Sequence, residues 1–197
     1  MTSALPRAVL TVAGACFALV ALSVALLDTA PFDTPVRDAL LGLASPPVIA
    51  AMRVIRVASR WSLPPAILLL LWFFRPARER WYVWIGLMIV ALMIEQPLKV
   101  LIGRPRPEAP SMGFPSGEAT VAAAFFGALF YLAESLPPRT QRLLRTGAIV
   151  MIVLVAVARV ILRAHWPSDV LGGIALGLAL ASAAALLARP GRAVQDP

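Results

Sequence analysis

The sequence of 197 residues has few charged residues and almost none of the side chains that build disulfides or metal sites. Only 14% of its residues are charged, and its one cysteine, Cys16, lies inside an apolar run. A lone cysteine excludes a disulfide framework and a cysteine metal cluster. Soluble domains carry about 25% charged and about 45–50% apolar residues. Here 60% of the residues are hydrophobic and the mean hydropathy is +0.83, which argues against a soluble enzyme and excludes a disordered protein.

The basic residues are unevenly divided, and lysine and histidine each occur once. Seventeen of the 18 cations are arginine, Lys99 is the only lysine and His165 the only histidine. In an apolar chain, a net charge of +8 indicates loop cations beside lipid headgroups rather than nucleic-acid binding, so we expect no nucleic-acid partner. The Arg-rich, Lys-poor, Ala-rich composition favours a bacterial source.

Runs without charged residues predict an all-α integral membrane bundle of six transmembrane helices. A helix of twenty residues is about 30 Å long, which spans the hydrocarbon core of a bilayer. The expected spans are about 8–27, 58–74, 81–98, 118–136, 143–162 and 168–188. We expect one membrane domain over residues 1–189 and a short tail over 190–197. The first run is long for a signal peptide, and Asp28-Thr29-Ala30 is a poor cleavage site, so it is interpreted as a retained span.

The segment between the first two spans contains four prolines, at positions 31, 35, 46 and 47. Apolar residues recur there at helical spacing among arginines, which is typical of short amphipathic helices on the membrane surface. An extension of the second span over residues 46–60 is an equally good interpretation.

Chain parity brings the chemically distinctive residues to one membrane face. The loop between spans 3 and 4 and the loop between spans 5 and 6 must emerge on the same side. The first contributes Lys99, Arg104, Arg106, Ser116, Gly117 and Glu118, and the second contributes Arg159, Arg163, His165 and Asp169. If cations with a chemical role are discounted, the short basic connectors 75–80 and 137–145 mark the cytoplasm. The face that carries these two loops then lies outside, on the periplasmic side of a bacterial inner membrane.

This face has the groups that recognise phosphate: fixed cations, forked guanidinium donors and the unpaired N–H groups of a helix start at Pro115-Ser116-Gly117. His165 is a candidate nucleophile if Asp169 holds its other ring nitrogen. Each residue also has a plainer interpretation. Lys99 could be a snorkelling residue at the end of a span, Ser116 a helix N-cap and Asp169 a first-turn acid. Glu95, four residues before Lys99, is expected to form a helical ion pair with it. Arg104 and Arg163 could serve a substrate headgroup or the lipid surface.

Three motifs resemble those of the type 2 phosphatidic acid phosphatase superfamily. Lys99, six residues and Arg106-Pro107 are similar to its first motif. Its second motif resembles Pro115-Ser116-Gly117. Its third resembles Arg159 followed, after five residues, by His165 and, after three more, by Asp169. The resemblance implies a metal-independent lipid phosphatase without a cofactor, in which His165 becomes phosphorylated and Asp169 orients it. It further implies that the phosphoryl oxygens are held by Lys99, Arg106, Ser116, Gly117 and Arg159.

The sequence departs from the family at two positions. Ala158 stands where the third motif has serine, which removes one hydrogen bond. Glu118 stands where the second motif has the histidine that protonates the leaving oxygen. Glu118 is a candidate catalytic acid, but a carboxyl is ordinarily ionised near neutral pH. The other interpretations are a first-turn acid that complements the helix dipole and an engineered replacement.

The leading hypothesis is therefore a phosphatase acting on a membrane lipid phosphate or diphosphate. A diphosphate leaves as a phosphate anion, which needs a proton less than an alkoxide does, so Glu118 slightly favours a polyprenyl diphosphate. A lipid-phosphate binding protein that has lost turnover and a six-span transporter of a lipid-linked anion are the alternatives. Neither binding nor transport requires a nucleophile with its orienting carboxylate.

Overall fold

The computed structural model describes residues 4–60 and 62–189, with only the backbone for residues 58–60. Over these ranges the chain forms ten α-helices, a 3-10 turn at Ala133–Ser135 and one two-stranded hairpin. The helices are α1 (Ala4–Leu27), α2 (Asp33–Leu41), α3 (Pro46–Arg60), α4 (Leu63–Phe73), α5 (Arg75–Glu79), α6 (Trp81–Met93), α7 (Glu95–Ile102), α8 (Gly117–Leu132), α9 (Pro138–Ile161) and α10 (Pro167–Leu187). The expected tail over 190–197 lies outside the described residues.

Helix α8 is the buried centre of the bundle and contacts α4, α6, α9 and α10. It packs most closely against α10, where glycines let the two backbones meet. A Cβ atom at Gly173 would lie 2.5 Å from the carbonyl oxygen of Ser116, and one at Gly177 would overlap the carbonyl oxygen of Thr120. Small residues permit such close approach between membrane helices. This contact places the N-terminal ends of α8 and α10 side by side.

Four helical segments among the described residues are long and apolar enough to cross a membrane. They are α1, the nearly continuous pair α6–α7 (Trp81–Ile102), α9 and α10. Large apolar side chains lie exposed on their outer faces, including Leu19 and Leu26 of α1 and Val153 of α9. Exposed apolar surface on this scale belongs against lipid rather than water. The chain is a mostly helical, multi-pass membrane protein.

The remaining expected spans are shorter than the sequence suggested. Residues 58–60 end α3, and α4 begins only at Leu63, with Pro64 and Pro65 in its first turn, where proline is tolerated. Helix α4 has 11 residues and α8 has 16, about 16 and 24 Å at 1.5 Å per residue. Helices α2 and α3 meet at an angle of 115°, and counting Asp33–Leu41 with Pro46–Val57 as one broken span raises the number of candidate spans from four to five.

The chain is mostly helical, as expected, and one short hairpin that the sequence did not predict interrupts it. Pro105–Arg106 (β1) pairs antiparallel with Ala109–Met112 (β2). Gly103, with φ of 70°, ends α7 in the left-handed conformation that glycine adopts readily. The alternating prolines that follow disfavour helix, so the chain forms a hairpin instead. The hairpin holds Arg106 beside the loop that carries His165.

Candidate active site

The two loops that parity assigned to one face are in direct contact. The backbone N–H of Ser116, at the start of α8, donates a 2.9 Å hydrogen bond to the carbonyl oxygen of Asp169, at the start of α10. The expected site residues gather around this bond. Buried among them are Lys99, Ser116, Gly117, Glu118, Arg159, His165 and Asp169, and Arg106 is half-buried. A membrane bundle thus buries several charged groups at one end, and such groups need partners.

His165 and Asp169 form the pair that the sequence predicted. His165 Nδ1 lies 3.3 Å from Asp169 Oδ2, and the same oxygen accepts the backbone N–H of Trp166 at 3.0 Å. Asp169 is therefore both a first-turn acid and the partner of the imidazole. His165 lies in the loop between α9 and α10, where burial lowers its pKa below the ordinary value, while Asp169 opposes that shift. The imidazole is thus neutral near pH 7, with Nε2 as the ring nitrogen that Asp169 does not bind.

Ser116 occupies the N-cap position of α8, but its hydroxyl does not cap the helix. The side chain is fully buried, and Oγ makes no hydrogen bond to any residue that the structure describes. The N-cap interpretation of this hydroxyl is therefore wrong. A buried hydroxyl without a protein partner is available to a bound polar ligand.

Lys99 is buried on α7 and does not reach out to the membrane surface. Its ammonium pairs with Glu95, one helical turn earlier. The Glu95 carboxylate lies against the Cα atom of Gly117, where a Cβ atom would overlap it. The snorkelling interpretation is wrong, and Lys99 faces the beginning of α8.

Glu118 and Arg159 form a buried ion pair that the sequence did not predict. Glu118 Oε2 lies 2.6 Å from Arg159 Nη1, and the two side chains are only 5% and 4% exposed. A carboxylate therefore contacts Arg159, the arginine that the resemblance implies is a phosphate-binding residue.

The three remaining arginines have different surroundings. Arg106 donates from Nε to the Met112 carbonyl oxygen at 3.3 Å, and its charge helps to lower the pKa of His165. Arg163 is 57% exposed and pairs with Glu108 at 3.0 Å. Arg104 is buried and bonds Asp169 and Asp33, so it serves neither the lipid surface nor an exposed headgroup.

Sequence reasoning missed Asp33, which is fully buried although it begins a short amphipathic helix. It lies 71 positions before its partner Arg104. No local sequence pattern predicts a contact between two residues so far apart. The four prolines around α2 and α3 did indicate that the segment is broken into short pieces. They carried no signal of where those pieces dock.

A cavity of about 400 Å³ reaches α8 from its N-terminal end. It is lined by the polar residues Glu95, Gln96 and Glu118, by Gly117, and by the apolar residues Pro64, Pro65, Leu92 and Val121. The described residues contain no group of three His, Cys, Asp or Glu side chains placed to hold a metal ion.

The sequence profile of the PAP2 superfamily matches residues 80–190, which include every residue of the three motifs. The chain belongs to the PAP2 superfamily. This match covers α6 to α10, the part of the PAP2 chain in which the two loops meet. It leaves α1 to α4, including Asp33, outside the matched region.

A curated protein and a crystal structure, both from Bacillus subtilis, are similar to this PAP2 chain. Phosphatidylglycerophosphatase B of strain 168 is 35% identical over 111 residues, an alignment that covers 49% of this chain and 55% of the relative. The match thus spans about half the length of that relative. The crystal structure of a transmembrane PAP2-type phosphatidylglycerolphosphate phosphatase superimposes with a TM-score of 0.73 at 23% identity. It covers 89% of this chain and 93% of the other, so the likeness extends the shared fold beyond the matched region.

Proposed function

We propose that the chain is a metal-independent phosphatase that removes phosphate from a membrane lipid phosphate or diphosphate. The observation that carries the proposal is the buried His165–Asp169 pair, bonded through Asp169 to the start of α8 beside Lys99 and Arg159. A neutral imidazole with one nitrogen held by a carboxylate is a nucleophile with a fixed orientation. Membership of the PAP2 superfamily and the phosphatase names of its relatives support the same reaction.

The reaction proceeds in two displacements. His165 Nε2 attacks phosphorus and forms an N–P bond while the bond from phosphorus to the leaving oxygen breaks, and that oxygen takes the electron pair. Asp169 keeps the proton on Nδ1 and stabilises the positive charge that develops on the ring. Water then attacks the phosphohistidine, releasing inorganic phosphate and restoring the neutral imidazole.

The phosphoryl oxygens are held by Lys99, Arg106, Arg159, the Ser116 hydroxyl and the backbone at Gly117. The buried Ser116 hydroxyl supports this assignment because it bonds no described protein group. The N-terminal end of α8 adds the positive end of a helix dipole. Phosphoryl transfer depends mainly on such positioning and charge stabilisation.

The substrate is a lipid with a phosphate at the membrane surface. The cavity beside Glu118 is lined by both polar and apolar residues, which suits a phosphate joined to a hydrocarbon chain. The relative's name points to phosphatidylglycerophosphate, a monoester. Glu118 in place of the family's histidine favours a diphosphate such as a polyprenyl diphosphate, whose leaving group needs less help from an acid.

Glu118 takes part in proton transfer only after a phosphate has displaced it from Arg159. In the structure the Glu118 carboxylate is paired with the Arg159 guanidinium. A phosphate dianion bound to Arg159 places a negative charge beside the Glu118 carboxyl. A neighbouring negative charge favours the protonated form of a carboxyl. Binding of substrate is then coupled to uptake of the proton that the leaving oxygen needs.

The proposed membrane arrangement has six crossings, with the site on the outer face of a bacterial cytoplasmic membrane. Helices α4 and α8 supply the two crossings that fall below the usual length. Helix α8 is enclosed by other helices, so its ends need not match the bilayer thickness. The basic connectors at 75–80 and 137–145 support a cytoplasmic location for the opposite end.

A lipid-phosphate binding protein with impaired turnover is the second candidate. The Glu118–Arg159 ion pair favours this candidate for two reasons. The position of the catalytic acid lacks histidine, and the Glu118 carboxylate competes with phosphate for Arg159. The two candidates differ in a single observable, which is release of inorganic phosphate.

The deciding experiment measures phosphate release by the purified protein in detergent. Phosphatidylglycerophosphate, phosphatidic acid and a polyprenyl diphosphate are offered in parallel, with and without a chelator. We expect release from at least one lipid, unchanged by the chelator and absent in His165→Ala. Binding of these lipids without release would establish the second candidate, and inhibition by the chelator would overturn the metal-independent mechanism.

A further inference from the structure

A buried ion pair connects α2 to the segment that follows α7. Arg104 Nη2 lies 2.6 Å from Asp33 Oδ2, and the two side chains are 2% and 0% exposed. Asp33 also accepts the backbone N–H and the hydroxyl of Ser168, both at 2.8 Å, and the backbone N–H of Ala30 at 2.9 Å. Four donors on three separate segments thus fix one carboxylate, which lies outside the region matched to the PAP2 superfamily.

The other nitrogen of the same guanidinium bonds the partner of His165. Arg104 Nη1 lies 2.8 Å from Asp169 Oδ1 and 2.5 Å from the Ser168 hydroxyl. Asp169 uses Oδ1 for Arg104 and Oδ2 for His165. The Trp166 ring lies against the guanidinium, with 5.4 Å from the Arg104 carbon Cζ to the ring centroid. Asp33, Arg104, Asp169 and His165 therefore form a continuous row of contacts.

We infer that Arg104, clamped by Asp33, is a positioning residue that fixes the Asp169 carboxylate and through it the orientation and tautomer of His165. The inference rests on the proposed function, in which His165 is the nucleophile. Neither Arg104 nor Asp33 contacts His165 in this row; each acts through Asp169.

The geometry requires the forked shape of arginine. A guanidinium offers two nitrogens in one plane, so it can bond Asp33 and Asp169 at the same time, whereas an ammonium is a compact point charge. Without this bridge Oδ1 of Asp169 loses its arginine partner, and only the backbone N–H of Trp166 still holds Oδ2. The carboxylate is then fixed less firmly towards Nδ1. Both neutral tautomers of the imidazole then become accessible, and one of them carries its proton on the attacking nitrogen, Nε2.

The charged groups around the imidazole do not replace this bridge. Asp169 raises the pKa of His165, whereas Arg159 of α9 and Arg106 of β1 lower it. Arg159 is paired with Glu118, and Arg106 donates to the backbone of β2. The tautomer is a more direct readout than the pKa, since it reports which nitrogen Asp169 holds.

The test uses the fact that His165 is the only histidine in the chain. Protein labelled with ¹⁵N-histidine and purified through a histidine-free tag gives the imidazole signals of His165 alone. We expect the wild type to show the Nδ1–H tautomer at a pH where the ring is neutral. Asp33→Asn, Arg104→Gln and Arg104→Lys are each expected to show a mixture of tautomers. In the same variants kcat falls about 100-fold and KM is unchanged, because neither residue touches the substrate.

Arg163→Gln is the matched control, because it removes a nearby arginine that pairs with Glu108 instead of Asp169. It should keep the wild-type tautomer and kcat. Arg104→Lys preserves a cation between the two carboxylates and so keeps the test available if Arg104→Gln does not fold. Wild-type tautomer and kcat in folded Asp33→Asn or Arg104→Lys would overturn the inference. Absence of phosphate release from the wild type would instead refute the proposed function, while the tautomer comparison would still decide whether Arg104 positions Asp169.

Discussion

Glu118 Oε2 and Arg159 Nη1 lie 2.6 Å apart in the interior of the bundle, and Glu118 stands at the position where the motif it resembles has a histidine. Removing one partner of a buried ion pair leaves the other charge without compensation. If Arg159 binds the substrate phosphate as proposed, that phosphate supplies the compensation, and Glu118 and the substrate compete for Arg159. This competition makes Glu118 the residue whose replacement separates binding from turnover.

Glu118→Gln should strengthen the binding of anions at the site. The amide removes the negative charge that competes for Arg159 while keeping nearly the same shape. We expect the inhibition constant of inorganic phosphate to fall about tenfold, which corresponds to about 1.4 kcal/mol. Glu79→Gln, which changes an exposed glutamate paired with Arg75, is the control. Equal phosphate inhibition in wild type and Glu118→Gln would show that no competition exists.

The acid role of Glu118 is tested with Glu118→His and two types of substrate. If Glu118 donates a proton, the Glu118→Gln variant should lose the part of the rate that grows at low pH. Histidine should raise activity near neutral pH, most for monoester lipids whose leaving alkoxide needs a proton. The acid role is refuted if Glu118→Gln leaves the pH–rate profile unchanged and Glu118→His gives no substrate-dependent gain in activity. Only the interaction of Glu118 with the helix dipole would then remain, worth about 0.3–1 kcal/mol.

Arg106→Lys and Arg159→Lys should each lower kcat by about 100-fold, as loss of a charge-stabilising donor does elsewhere. Lysine keeps the charge but loses the fork that binds two phosphoryl oxygens. Arg75→Lys, at an exposed pair, should have no effect. Near-normal turnover in both site variants, measured as phosphate release, would mean that neither arginine clamps the phosphate.

The pH dependence of kcat/KM should report the protonation of His165. Burial lowers its pKa, so the neutral nucleophile persists below the ordinary value of about 6.5 and the rate falls only at lower pH. Asp169 raises this pKa, so Asp169→Asn should move the acid limb to still lower pH while it reduces the maximal rate. An acid limb that stays in place in Asp169→Asn would indicate that another group titrates.

The contact between α8 and α10 should tolerate no Cβ atom at Gly177. Alanine there would overlap the backbone oxygen of Thr120, which cannot rotate away as a side chain can. Overpacking of this kind costs about 1–3 kcal/mol, so we expect a lower Tm in detergent and reduced activity. Gly147→Ala is the control, because a Cβ atom there would meet no neighbouring side chain or other helix within 4 Å. It should keep or slightly raise the wild-type Tm, since alanine favours helix more than glycine does. An equal Tm in both variants would contradict the close packing.

The membrane helices and the meeting of the two loops followed from the sequence for clear physical reasons. Apolar runs without charges have few alternatives to a membrane helix, and chain parity then fixes which loops share a face. Lys99, His165 and Asp169 could be singled out because each lies in a spaced motif. Helix ends were less predictable: the second span began at Leu63 instead of residue 58, since α3 continues through residues 58–60.

The contacts between charged groups were beyond the sequence. The pairing of Arg159 with Glu118, and of Arg104 with Asp33, depends on how α2, α8, α9 and the hairpin dock. Such pairs form across 41 or 71 positions without any periodic pattern that predicts them. The failure of Ser116 to cap α8 likewise depends on the neighbouring α10, which bonds the Ser116 backbone.

The central claim is that His165 carries the phosphoryl group, and trapping the phosphorylated enzyme tests it most directly. Protein mixed with a lipid substrate labelled with ³²P in the departing phosphate is quenched within one turnover and digested. We predict acid-labile, alkali-stable label on the peptide that contains His165, and no label and no turnover in His165→Ala. Label on a serine or carboxylate, or turnover by the alanine variant above a few per cent of wild type, would contradict the mechanism.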